Sequence, residues 1–201
     1  ILNHGDLSVL SFHATKVFNT FEGGAIICHD ARTKQRIDYL KNFGFAGETR
    51  VVAPGINAKM NEMEAAFGLL QLKYIDGALA ARKTIYQRYC EGLQDVAGIT
   101  WFDAGGRFEW NHAYYPVLVE GDYPMARDAL YEALKEEGIY SRRYFYPLIS
   151  SFAMYRHLPS AAPEHLPAAN VIAEKILCLP IYPDLTEAEQ QRVIDVVRKH
   201  A

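Results

Sequence analysis

Ser11-Phe12-His13-Ala14-Thr15-Lys16, followed by Phe21-Glu22-Gly23-Gly24-Ala25, is the stretch of this 201-residue chain that constrains its fold most tightly. Residues 7–12, Leu-Ser-Val-Leu-Ser-Phe, read as a short strand, and Ala25-Ile26-Ile27-Cys28 reads as another after a Gly-Gly turn. A strand that ends at Ser11 delivers a lysine five residues later in a tight turn, and the two glycines that follow permit close backbone approach. A lysine amine held in such a turn is a candidate nucleophile toward an aldehyde. A serine hydroxyl beside it can hydrogen-bond a phosphate oxygen. A solvated lysine after a plain strand is the bland alternative; it suits a lone lysine better than a string this long and specific.

Working outward, Asp30 is suited to cap a helix whose stripe Ile37, Leu40 and Phe43 ends at Gly44. Residues 44–57, rich in glycine and carrying Pro54, form a loop long enough to be functional. Asn61 and Glu64 have capping-box spacing. Met63, Phe67, Leu70 and Tyr74 then continue a helical pattern that runs, weakening, toward residue 95. The second half alternates. Thr100-Trp101-Phe102 and Ala113 to Val119 read as strands, and Pro124 suits the first turn of a helix with stripe Ala126, Leu130, Leu134, stopped by Gly138. Ile139 to Tyr146 reads as extended, Val171 to Leu177 as a short helix, and Thr186 and Glu189 as the capping box of a last helix with Ile194 and Val197 inward. The expected class is α/β, with an α+β C-terminal part, divided into residues 1–97 (including the long helix) and 98–201.

Composition narrows the function classes. Half the residues are hydrophobic, 22% are charged and the net charge is -3, which is ordinary for a globular protein. Nothing in that balance calls for nucleic acid, and Arg142-Arg143 is too short for a basic patch. No run of 18 apolar residues suggests a membrane span. The three cysteines, Cys28, Cys90 and Cys178, are odd in number and far apart, which fits reduced thiols and a cytoplasmic setting. The seven histidines show no metal-pair spacing on one helix, and neither G-x-S-x-G nor a phosphate-loop motif is present.

Four blocks, in order, carry a resemblance over essentially the whole chain. The first is the lysine segment itself. The second is Gly55-Ile56-Asn57-Ala58-Lys59-Met60-Asn61-Glu62 with Ala65-Ala66-Phe67-Gly68-Leu69-Leu70-Gln71-Leu72. The third is Ser141-Arg142-Arg143-Tyr144-Phe145-Tyr146-Pro147-Leu148, and the fourth is Leu179-Pro180-Ile181-Tyr182-Pro183-Asp184-Leu185-Thr186. Together they resemble the DegT/DnrJ/StrS sugar aminotransferases, enzymes of fold type I that use pyridoxal 5'-phosphate. The resemblance implies the C-terminal portion of the large domain plus the small domain. It makes Lys16 the residue that binds the cofactor covalently and then serves as general base and acid. Ser11 would contact the cofactor phosphate, and Asn57 the phosphate held by the neighbouring subunit of a homodimer.

On the substrate side the resemblance points to His13 and Lys59, and also to Arg143 and Tyr144. For Arg143 and Tyr144, an edge-strand arginine and a packed tyrosine is an equal alternative. Many relatives carry arginine where Lys59 stands; lysine keeps the charge but not the bidentate fork. Some relatives that act as dehydratases carry histidine at the lysine position, so Lys16 implies amino transfer. The implied reaction moves an amino group from an amino-acid donor, L-glutamate, to a keto-sugar nucleotide. Family members are longer, and their N-terminal half supplies a phosphate-binding loop, a ring stacked on the pyridine and an aspartate at its nitrogen. None of these can be placed here, and Asp6 is not assigned that role. With no initiator Met, the chain is expected to be one half of such a protein, with strand edges prone to self-association. The rival expectation is a truncated relative that serves only as a binding or assembly module.

Overall fold

The computed structural model describes residues 2–103 and 105–201. The chain divides into two packing units, Ile1–Asp76 and Gly77–Ala201.

The first unit is built on an antiparallel ribbon, β1 (Leu7–Ser11) against β2 (Gly24–Cys28), in a register that pairs Leu7 with Cys28 and Ser11 with Gly24. The last pair needs glycine, because a Cβ at Gly24 would stand 2.6 Å from the Leu10 carbonyl oxygen. Helix α1 (Ala31–Leu40) starts where expected: the Asp30 carboxylate accepts the Thr33 N–H at 2.8 Å. After it, Gly44 takes φ +85° with its missing Cβ directed at the Ala53 carbonyl, so the loop can turn there only on glycine. That loop is laced by backbone bonds from Phe43 N–H to Ile56 O and from Val52 N–H to Gly44 O. Helix α2 (Glu62–Gln71) is capped by Asn61, whose side chain accepts the Glu64 N–H at 2.9 Å.

The spacing in 61–95 predicts one long helix; the structure has two. Beyond Gln71 the Lys73 and Tyr74 amides bond back three residues, to Leu70 and Gln71, which tightens the helix into a turn. Leu70 and Tyr74, read as part of an inward stripe, are 46% and 65% exposed, so no burial holds the continuous helix straight. Helix α3 (Ile75–Leu93) begins after that turn.

The second unit contains all of the buried hydrophobic residues found among the described ones. Its sheet is antiparallel in the order β3 (Ile99–Trp101), β4 (Tyr115–Val119), β5 (Ile176–Leu179). The alternation along β4 buries Tyr115, Val117 and Val119. These residues share a core with Tyr89 and Leu93 of α3, Leu130 and Leu134 of α4 (Arg127–Glu136), and Val193 and Val197 of α6 (Glu187–Lys199). Each fully buried leucine is worth roughly 1.5–3 kcal/mol. Three polar side chains donate to backbone carbonyls inside this core: Tyr89 OH to Pro180 O (2.9 Å), Tyr123 OH to Val197 O (2.7 Å) and Gln190 Nε2 to Ile85 O (2.6 Å). Packing therefore groups α3 with the second unit, whereas the sequence-based division at 97/98 gave that helix to the first.

Several boundaries differ locally. Pro124 precedes rather than enters α4, whose N-cap is Ala126. The helix expected at Val171 to Leu177 is α5 (Pro167–Lys175), begun by its proline, and Ile176 onward forms the third strand instead. The segment Ile139 to Tyr146 is extended only where Arg142 pairs with Cys178; Tyr144-Phe145 and Tyr146-Pro147 are cis peptides. The expected capping box at Thr186 and Glu189 is present in full. The three cysteines are unpaired, and among the described residues no helix is long and apolar enough to cross a membrane.

Candidate active site

The residues between β1 and β2 form a closed loop rather than a free one. The Phe12 amide donates to Gly23 O and the Thr20 amide to Phe12 O, both at 2.9 Å, so the loop neck is stitched where it leaves the ribbon. Inside it, the Lys16 amide donates to His13 O (2.9 Å) and Asn19 Nδ2 donates to Lys16 O (3.3 Å). The backbone of Lys16 is thus held on both sides. Its side chain has no carboxylate within ion-pair distance among the described residues. An amine so placed is anchored at its root and uncommitted at its tip, which is what attack on an aldehyde requires.

The loop is pressed from below by α2. Thr20 is 1% exposed, and its hydroxyl donates to Glu22 O at 2.5 Å. A Cβ at Gly68 would stand 2.9 Å from Thr20 Cγ2, and one at Gly23 would stand 2.7 Å from Thr20 Oγ1 and from Met60 Cε. Two glycines therefore let Thr20 sit beneath the lysine turn. Phe12 and Phe18 meet edge to face at 5.0 Å, and Phe21 stacks on Phe67 of α2 at 4.3 Å.

Ser11 ends β1, and its Oγ accepts the His13 N–H at 3.4 Å, leaving the hydroxyl proton available for an anion. The His13 ring faces its own loop: Nδ1 accepts from the Thr15 amide (3.3 Å) and lies 3.0 Å from Thr15 Oγ1, while Nε2 faces Glu22 Oε1 at 3.5 Å. Asn57 is exposed in an extended segment and pairs with Asn42. Lys59 Nζ donates to Asn42 Oδ1 at 2.7 Å and lies 4.7 Å over the Phe43 ring. On the ribbon's flank, a cavity of about 900 Å³ lined mainly by Val9, Leu10, Ile26, Ile37 and Met60 opens beside Lys59. Val9 and Ile26 are 77% and 45% exposed there.

Arg143 and Tyr144 belong to the second unit. Arg143 Nη1 pairs with Asp128 at 3.0 Å, and its guanidinium covers the Tyr131 ring at 4.1 Å. Tyr144 packs edge-on against Tyr114 at 5.2 Å, with the Arg142 guanidinium 5.6 Å from its ring. These side chains line an aromatic hollow of about 630 Å³ with Tyr140, Phe145 and Tyr146. The arginine suited to an anion by its sequence context is already partnered, and its neighbour Arg142 carries the exposed cation.

The residues that sequence spacing did not single out are Thr15, Asn19, Thr20 and Glu22. Each acts within ten residues of Lys16, and Thr15, Asn19 and Thr20 are short polar side chains of the kind that bond nearby loop groups. That was the signal available.

The donor set fits pyridoxal 5'-phosphate on its chemistry: a free primary amine, a serine hydroxyl with its proton unspent, and an exposed asparagine. The groups that would stack on the pyridine ring or pair with its nitrogen are not assigned on this chain. The chain is similar to relatives named dTDP-4-amino-4,6-dideoxy-D-glucose transaminase. The one from Shigella dysenteriae is 45% identical over 199 residues, 99% of this chain and 54% of the relative. The one from Escherichia coli is 54% identical over 167 residues, 83% of this chain and 45% of the relative. Its structure is similar to that of DesI solved in the presence of its TDP-sugar product, with a TM-score of 0.87 at 36% identity, covering 97% of this chain and 49% of DesI. The chain thus spans about half the length of the proteins it matches. The family model of the DegT/DnrJ/EryC1/StrS aminotransferases matches residues 1–198, and the chain belongs to that family.

Proposed function

We propose that this chain carries the reactive lysine and the small domain of a pyridoxal 5'-phosphate-dependent aminotransferase that moves an amino group, from L-glutamate, onto a keto-sugar nucleotide. The observation that carries the reading is Lys16, rooted by two backbone bonds with its amine unpaired, in a chain of this aminotransferase family. The names of the Shigella and Escherichia relatives, and the TDP-sugar product of DesI, support a dTDP-linked sugar as substrate.

When bound, the cofactor supplies an aldehyde and an electron-withdrawing ring that takes up the electron pair of a cleaved bond. The protein residues do the rest. Lys16 would hold the cofactor through its amine and would then serve as the general base and acid that moves a proton. The Ser11 hydroxyl would donate to the cofactor phosphate. Asn57, exposed on an extended segment, reaches across a homodimer to the phosphate held by the other subunit. His13 and Lys59 of the first unit, and Arg143 and Tyr144 of the second, are the proposed sugar-nucleotide residues.

The test is reduction with borohydride in the presence of pyridoxal 5'-phosphate, followed by peptide mapping of the intact protein. A pyridoxyl mark confined to the peptide containing Lys16, and lost in Lys16→Ala, is the expected result. Marking spread over several lysines refutes the assignment. A binding or assembly module without catalysis predicts instead that no mark appears at all.

A further inference from the structure

We propose that Glu22, His13 and Thr15 form a positioning chain that sets the direction of Lys16, an inference that rests on the proposed role of that lysine. The geometry selects one protonation form of the imidazole. Nδ1 accepts from the Thr15 amide at 3.3 Å, so it carries no proton, and the Thr15 hydroxyl at 3.0 Å can donate to it as well. Nε2 faces the Glu22 carboxylate at 3.5 Å, and a carboxylate selects the protonated nitrogen. The neutral ring with its proton on Nε2 satisfies both neighbours. The other neutral tautomer would set an Nδ1 proton against the Thr15 N–H.

The consequence runs straight into the lysine. His13 holds the Thr15 amide with its ring and the Lys16 amide with its carbonyl, at 2.9 Å. Two successive amides ahead of the reactive side chain are thereby fixed by one residue. Glu22 closes the same circuit from the far end of the loop, because its own carbonyl accepts the buried Thr20 hydroxyl. A lysine that must attack a carbonyl from one direction gains from a root that cannot swivel. In this role His13 acts through the backbone of Lys16.

Two readouts in the intact protein test this, one of them independent of the cofactor. Amide hydrogen exchange at Thr15 is expected to rise about tenfold in His13→Ala, the effect of losing one hydrogen bond. In His13→Asn it should return to within about threefold of the parent, because the asparagine oxygen can accept the N–H two residues on. Nitrogen-15 spectra of the histidines should show His13 protonated on Nε2 alone. Unchanged exchange in His13→Ala, or a proton on Nδ1, overturns the proposal. With pyridoxal 5'-phosphate and borohydride, the labelling rate at Lys16 should fall about tenfold in His13→Ala and recover in His13→Asn. Equal labelling in parent and His13→Ala overturns the positioning role and leaves the cofactor assignment standing. An unlabelled parent with the expected exchange pattern overturns the cofactor assignment and upholds the anchored turn.

Discussion

Replacing Gly68 by alanine tests the link between helix α2 and the lysine loop. Two effects oppose each other. The methyl would stand 2.9 Å from Thr20 Cγ2 and 3.8 Å from Phe18 Cζ. Thr20 is 1% exposed and tied through its hydroxyl to Glu22 O, so it cannot step aside without breaking that bond. Overpacking of this kind costs about 1–3 kcal/mol. Against it, alanine favours a helix interior over glycine by about 1 kcal/mol. The net for Gly68→Ala is a destabilisation of about 1 kcal/mol.

Thr20→Ser separates the two effects, because it deletes Cγ2 and keeps the hydroxyl. Alone it leaves a methyl-sized gap and costs about 1 kcal/mol. In the double variant the new methyl fills that gap, and the helix preference is recovered without the clash. The predicted coupling is about 3 kcal/mol in favour of the pair. Native-state hydrogen exchange of the α2 amides reads it directly: faster in each single variant, slower in the double than in either. If Gly68→Ala alone slows exchange, and Thr20→Ser adds nothing to it, helix propensity alone governs the site. The close approach of loop and helix would then play no part.

Two further outcomes follow from the second unit. Arg127 is 4% exposed and its Nη1 donates to the Ala173 and Ile176 carbonyls, each at 3.0 Å. Arg127→Met leaves both carbonyls unpaired and should cost about 2–4 kcal/mol in a urea melt followed by tryptophan fluorescence, whereas a loss under about 0.5 kcal/mol refutes that account. His112 sits at φ +47° against the Tyr86 and Trp110 rings, and burial, reinforced by the charge of Lys83, holds its pKa below the ordinary 6.5. The folded form therefore binds that proton less readily than the unfolded chain. The stabilisation is complete above the unfolded value and is lost as pH falls through it toward the folded one. His112→Asn, which tolerates the same backbone angle, should flatten the dependence of stability on pH as the pH falls through the ordinary 6.5. An unchanged slope would place the titration elsewhere.

Elements whose signals are local were legible in the sequence. The β1–β2 ribbon, the Asp30 cap and the Thr186–Glu189 box follow from residue type and spacing, and the structure has each. The break at 72–74 was not legible, because exposed apolar residues such as Leu70 and Tyr74 mimic an inward stripe in a one-dimensional pattern. Strand β5 was hidden for a related reason. Ile176-Leu177-Cys178-Leu179 is a short apolar run, and its neighbour β4 lies some sixty residues earlier. At the candidate site, the lysine segment marked Lys16 and Ser11. The network that orients them, from Thr15, Asn19, Thr20 and Glu22, depends on how a loop folds back on itself, which no spacing rule describes.

The uneven distribution of buried apolar residues, all of them in the second unit among the described residues, has an evolutionary consequence. Substitutions around Lys16 fall in a region that contributes none of those residues. They can retune the chemistry without opening that core. Substitutions at Tyr89, Leu130 or Val197 do the reverse, altering how much folded protein a cell holds without touching the reactive amine. Drift at the reactive lysine and drift in that core thus fall on different stretches of one gene.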